Sequence, residues 1–116
     1  MKTIIEVLKQ EVAKKFEQEQ FEVLSVSTGV SKDAENERDT PFVRLEVEVP
    51  RDLKPFGRCR FSVKIMNATA KVSQQLIDEG DSIYLASFSN LVLSYIDQKM
   101  NVYFRADSYN IEKGED

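Results

Sequence analysis

Aromatic and cationic side chains share one parity along the β-type runs of this chain: Phe42 with Arg44, Arg60 with Lys64, and Tyr103 with Arg105. Tyr84 in a neighbouring run, and Tyr95 and Lys99 at a late turn, join them. Any base can stack on an aromatic ring for ~1–3 kcal/mol while Arg and Lys follow the phosphates, so this mixture suits a single-stranded nucleic acid. These residues are the candidate contact set. Tyr and Phe are also ordinary strand formers, and the same rings could pack beneath a helix or in a homodimer interface.

Other chemistry is poorly provided for. The chain has no histidine, and its one cysteine, Cys59, falls at an apolar position, so it reads as a small buried hydrophobe. The usual nucleophile–base pairs and zinc sets are therefore missing. Gly29, Gly57, Gly80 and Gly114 stand singly and make no phosphate-cradling loop. Asp78, Glu79 and Asp81 gather at a turn, but the end of a helix is an electrostatically poor place to collect anions. The expectation is a protein with no catalytic residues, no metal and no cofactor.

The elements that must position the candidate set follow from periodicity. Thr3-Ile4-Ile5-Glu6 has the form of a capping box, and Ile4, Leu8, Val12 and Phe16 recur every four residues, which predicts a one-sided helix within residues 1–20. That helix is expected to pack on its own domain rather than on a partner. Phe21 to Val30 reads as a first strand ending near Thr28-Gly29, followed by a polar, mobile connection from Ser31 to Thr40. Pro41 to Pro50 alternates cleanly, with Val43, Leu45, Val47 and Val49 on one face. Arg58 to Ile65 alternates likewise, and a turn at Pro55 and Gly57 folds it back so that Glu48 meets Arg58 and Glu46 meets Arg60. This leaves Arg44 and Lys64 without acidic partners.

Ala68 to Glu79 reads as a helix stopped at Gly80, a residue suited to a left-handed end. Ser82 to Ile96 is too long for one straight strand, and a bend is expected within Ser87 to Asn90. After a turn at Asp97 to Asn101, Val102, Phe104 and Ala106 alternate with Tyr103, Arg105 and Asp107, giving a closing hairpin. Val47, Phe61, Val63, Ile83 and Phe104 are expected to be buried together. The order is mainly β: a five-stranded OB-type Greek-key barrel with a helix between strands 3 and 4 and an extra N-terminal amphipathic helix. Two sheets, or an open sheet covered by the first helix, are the alternative arrangement.

At 116 residues and 41% apolar composition the chain suits one domain, with residues 21–111 as the barrel and residues 112–116 as a polar tail. The net charge of −4 argues against coating nucleic acid by bulk electrostatics. The balance is nevertheless more basic in the second half, since residues 21–56 sum to −3 and residues 57–111 to +1. No apolar run approaches the ~20 residues of a membrane span, and charge comes too early for a signal-peptide core, so a cytoplasmic location is expected with no membrane contact.

The order of elements, the Glu79-Gly80-Asp81 lead-in to the fourth strand and the run Asn101-Val102-Tyr103-Phe104-Arg105-Ala106-Asp107-Ser108 resemble the small OB-fold single-stranded-DNA-binding proteins of phages and Gram-positive conjugative plasmids. The last run is also similar to the ending of small conjugative-transposon proteins. The resemblance covers about the last half of the chain. It implies accessory work in replication, recombination or conjugation, with single-stranded DNA, or RNA, as partner and the aromatics and cations named above as contacts. The chain departs from those proteins in its negative charge, its lack of Trp and its short acidic end. A protein–protein adaptor or structural subunit, using the barrel face or the first helix, and self-association into a homo-oligomer are the competing expectations.

Overall fold

The computed structural model describes residues 4–32, 39–53, 57–80 and 82–114. Two helices and seven strands follow one another: α1 (Ile4–Phe16), β1 (Phe21–Lys32), β2 (Asp39–Glu48), β3 (Arg60–Met66), α2 (Gln74–Glu79), β4 (Tyr84–Ser89), β5 (Val92–Ile96), β6 (Val102–Ala106) and β7 (Ser108–Lys113). The strands form one sheet in the order β5-β6-β3-β2-β1-β4-β7. Only β3 and β6 run parallel; the other neighbours are antiparallel.

The mainly β class expected from alternation is present, but with seven strands in the sheet rather than five closed into a ring. The physical cause is a corner. The run from Tyr84 to Ile96 breaks at Asn90, whose φ of 54° is left-handed, and the run from Val102 to Lys113 breaks beside it at Asp107. The two breaks are tied together: Asn90 Nδ2 donates to Asp107 Oδ2 at 2.7 Å, and the Asp107 amide donates to the Ser89 carbonyl at 2.9 Å. Ser89 faces Ser108 before the corner and Val92 faces Arg105 after it, so neither strand gains or loses a residue in turning. β7 itself was hidden in the sequence behind polar residues.

Strict alternation buries Val43, Leu45 and Val47 of β2 and Phe61, Val63 and Ile65 of β3 on one side. Phe21, Val23, Phe88 and Phe104 join them, and Phe16 at the end of α1 enters the same cluster. Four rings interlock there: Phe16 stacks on Phe61 at 5.4 Å, Phe21 meets Phe61 edge-on at 5.1 Å, and Phe61 lies 4.9 Å from Phe104. α1 is further held where Glu17 Oε1 accepts from the Leu91 amide at the corner. Of the expected apolar stripe, Val12 and Phe16 pack inward while Ile4 is 79% exposed. The capping residue Thr3 and the side chains of Ile5, Glu6 and Leu8 lie outside the described residues.

Several boundaries differ from the sequence reading, each for a local reason. β1 runs on through Gly29 to Lys32 because its pairing with β2 continues as far as Asp39, and at Gly29 an added Cβ would stand 2.6 Å from Phe42 Cζ. The core of the expected mobile connection, residues 33–38, lies outside the described residues. α2 is half the expected length because the segment before it serves Tyr109, whose hydroxyl donates to the Thr69 carbonyl at 2.6 Å and accepts from the Lys71 amide at 2.9 Å. Ser73 then caps the helix by accepting from the Leu76 amide, and Gly80 ends it at φ 71° as expected. None of the residues of α2 is buried; Val72, just outside it, is.

Cys59 is exposed, not buried, because it precedes β3 in a turn where Arg58 takes φ 68°. That turn closes on Val49, whose amide donates to the Cys59 carbonyl and whose carbonyl accepts from the Arg58 amide. The β2–β3 register is consequently two residues off the expected pairing: Glu48 faces Arg60 and Glu46 faces Ser62. Ile83 is 44% exposed, outside the core it was expected to join. No helix among the described residues is long and apolar enough to cross a membrane.

Candidate nucleic-acid interface

The face of β2, β3 and β6 opposite the core carries the candidate side chains in rows. Arg44 of β2 is registered with Lys64 of β3, and Lys64 with Arg105 of β6, so three cations line up across three adjacent strands. Ser27 continues the row on β1 and Val92 on β5. Among the described residues no carboxylate forms an ion pair with any of the three. Like charges placed directly opposite are destabilising, so the row is a local cost to the sheet.

Aromatics flank the row on both sides. On one side Phe42, half-buried, reaches over Gly29, with the Lys64 ammonium 4.3 Å and the Arg44 guanidinium 6.0 Å from its ring centroid. On the other side Tyr103 is stacked on Tyr95 with centroids 4.4 Å apart and planes 16° from parallel. Tyr95 is 54% exposed, whereas Tyr103 is half-buried. The stacking surface offered to solvent at this end is therefore mainly that of Tyr95.

The Asp97 turn fixes the tyrosine pair. Asp97 Oδ1 accepts from the Lys99 and Asn101 amides, and Oδ2 accepts from Asn101 Nδ2 at 3.0 Å and the Tyr103 hydroxyl at 3.2 Å. Hydrogen bonds from the Asn101 side chain and backbone, then from Lys99 and Tyr103, hold the Asp97 carboxyl below its ordinary value. Desolvation first, and the bond to Asp97 second, push the Tyr103 phenol up. Lys99 sits exposed on this same turn, close in sequence to the pair it would serve.

Two candidates stand elsewhere. Tyr84 shares the inward parity of Ala86 and Phe88 and packs against the core, so it does not belong to the outer face. Arg60 is on the outer face but at the end of β3, opposite Glu48 and beside Glu46 and Tyr103 in a small cleft. It is separated from the cation row by Ser62. The acidic residues Glu22, Glu46 and Glu48 occupy this end of β1 and β2, so the face is cationic in one band and acidic in the next.

The sequence reading missed Ser27, Gly29, Met66, Asn67 and Val92, which complete the surroundings of the row. Gly29 opposite Phe42 and the left-handed Asn67, φ 55°, were the available signals. Among the described residues no group of three His, Cys, Asp or Glu side chains is placed to hold a metal. No protein-family model, curated protein or solved structure matches this chain.

Proposed function

We propose that this chain is a non-catalytic single-stranded nucleic-acid-binding protein, most simply for single-stranded DNA, with the outer face of β2, β3 and β6 as its contact surface. One observation carries the reading: Arg44, Lys64 and Arg105 are registered side by side with no acidic partner among the described residues, between Phe42 on one flank and the Tyr95–Tyr103 stack on the other. Phosphates would neutralise the row while bases stack beside it. The acidic band of Glu22, Glu46 and Glu48 would repel the backbone and confine it to the cationic band, which reconciles local binding with a net charge of −4.

The OB-type reading belongs with this proposal. Its support is the register kept across the corner, where Ser89 faces Ser108 and Val92 faces Arg105: β4 with β5, and β6 with β7, can then be counted as two bent strands, which would leave five strands in an OB-type order. The C-terminal resemblance to phage and plasmid single-strand binders points the same way.

A second reading, a protein–protein adaptor, is favoured by exposed apolar side chains on the β5–β6 hairpin: Val92, Tyr95, Ile96 and Met100. Titration of labelled oligothymidine at low and moderate salt separates the two. Nucleic-acid binding weakens steeply as salt rises; absence of binding at low salt removes the first reading.

A further inference from the structure

The sheet has two ends, β5 and β7, and their free sides are treated differently. That of β7 is covered: the Lys71 ammonium donates to the Tyr109 carbonyl and to Asn110 Oδ1, and Glu112 and Lys113 put charge at the end of the strand. Lysines and charges so placed are a usual means of stopping an edge from pairing with another chain. From Leu91 to Ile96 the other edge carries neither a charge nor a proline, and Val92, Tyr95 and Ile96 are each half-exposed.

The two ends of β5 fit one another. At its start a groove of about 540 Å³ lies between β5 and α1, lined by Leu91, Val92 and Leu93 on one side and by Gln10, Ala13 and Glu17 on the other. At its far end stand Ile96 and, on the turn that follows, Met100, which is 75% exposed. The register shift at Ser94 decides how two such strands could lie together. Val92 faces Arg105 and Tyr95 faces Tyr103, so Val92 and Tyr95, although three residues apart, both point outward. An antiparallel pair about an axis between Leu93 and Ser94 therefore sets Val92 of each copy against Tyr95 of the other, an aromatic and β-branched pair made twice.

We infer that the free edge of β5 pairs with β5 of a second copy of this chain, forming a two-fold dimer. The ladder stops at Leu91, whose amide already donates to Glu17 Oε1. Beyond it, Ile96 and Met100 of one copy enter the groove beside α1 of the other, and Glu11 on the wall of that groove meets Lys99 on the incoming turn. Lys99 is the charge that the turn offers, because the Asp97 carboxylate is taken up by Lys99, Asn101 and Tyr103 within the turn. No like charges are set opposite each other along the paired strands. Paired residues point to the same side of a sheet, so both cation rows come to one face, but the dimer itself does not depend on the nucleic-acid reading.

Sedimentation equilibrium in the absence of nucleic acid tests this. From low to high micromolar concentration the mass of the wild type should rise from 13.3 kDa toward twice that value. Ile96→Asp should raise the dimer dissociation constant at least about tenfold. Glu11→Lys should raise it about two- to fivefold, and adding Lys99→Glu to that variant should recover the loss. Circular dichroism confirms that each variant is folded. A wild type that stays monomeric at high concentration would overturn the second copy as occupant and leave the edge to a strand from another protein. A dimer unmoved by both Ile96→Asp and Glu11→Lys would overturn the β5 joint and place the contact elsewhere.

Discussion

The ammonium nitrogen of Lys64 stands 4.3 Å from the centroid of the Phe42 ring, so the stacking surface of Phe42 is partly covered by the cation beside it. A base can take that surface only if the lysine moves off it, and a phosphate is the partner that would draw it away. Lys64→Ala removes one phosphate contact but also uncovers the ring. It should therefore weaken oligothymidine binding less than Arg105→Ala, which uncovers nothing, when both are measured by anisotropy on folded protein. A larger loss for Lys64→Ala would contradict the exchange.

Arg105 lies beside Lys64, and Lys64 beside Arg44, so the row repels itself. Arg105→Gln should raise stability at low salt by ~0.2–1 kcal/mol, the scale of a cross-strand charge pair. The gain should shrink as salt screens the row. Chemical denaturation at two ionic strengths checks both parts, and a salt-independent loss of stability would mean that Arg105 has a structural role instead.

Asp97 organises the turn that presents the tyrosine stack, and its carboxyl is held below the ordinary value by hydrogen bonds, first from Asn101. A carboxyl depressed in the folded state contributes stability above its unfolded pKa and loses it as pH falls through the folded value. The turn should therefore loosen on acidification through and below the usual carboxylate range, seen as loss of amide protection at Lys99 and Asn101. In Asp97→Asn that acid step should be missing.

The parts of the fold visible in the sequence are those set by local alternation. Val43, Leu45, Val47, Phe61, Val63 and Phe104 declared their buried face directly, and Gly80 declared the end of α2. What alternation cannot convey is where a strand stops serving one side of the sheet. Cys59 has the parity of Phe61 but stands in the turn before β3, and Ile83 precedes β4. The shortening of α2 depended on Tyr109, 40 residues from Thr69, and no local pattern reports so distant a hydrogen bond. On the candidate face, Arg44, Lys64, Tyr103 and Arg105 were legible because their strands were. Tyr84 was misplaced because the alternation was anchored on Ile83, which is exposed, whereas Ala86 and Phe88 carry the buried parity that Tyr84 shares, and Met66 and Val92 were missed because single apolar residues at strand ends carry no signal of their own.

Phe16 joins α1 to the sheet through its contact with Phe61. Phe16→Ala should cost ~3–5 kcal/mol, the range for truncating a buried aromatic, and should loosen α1 more than the sheet. Hydrogen exchange resolved by residue checks this: protection should fall first in α1 and at the Leu91 amide that Glu17 accepts. Uniform loss across the sheet would show that the helix and sheet unfold as one unit.

The claim that the cation row follows a phosphate backbone is tested most directly by the salt dependence of oligothymidine affinity in wild-type protein and in Arg44→Gln/Lys64→Gln/Arg105→Gln. Each single-strand phosphate neutralised adds about −0.7 to the slope of log affinity against log salt, so losing three contacts should flatten that slope by about 2 units. The account predicts that flattening in a variant that remains folded. A wild-type slope retained in the triple variant would contradict it and place the contact surface elsewhere on the molecule.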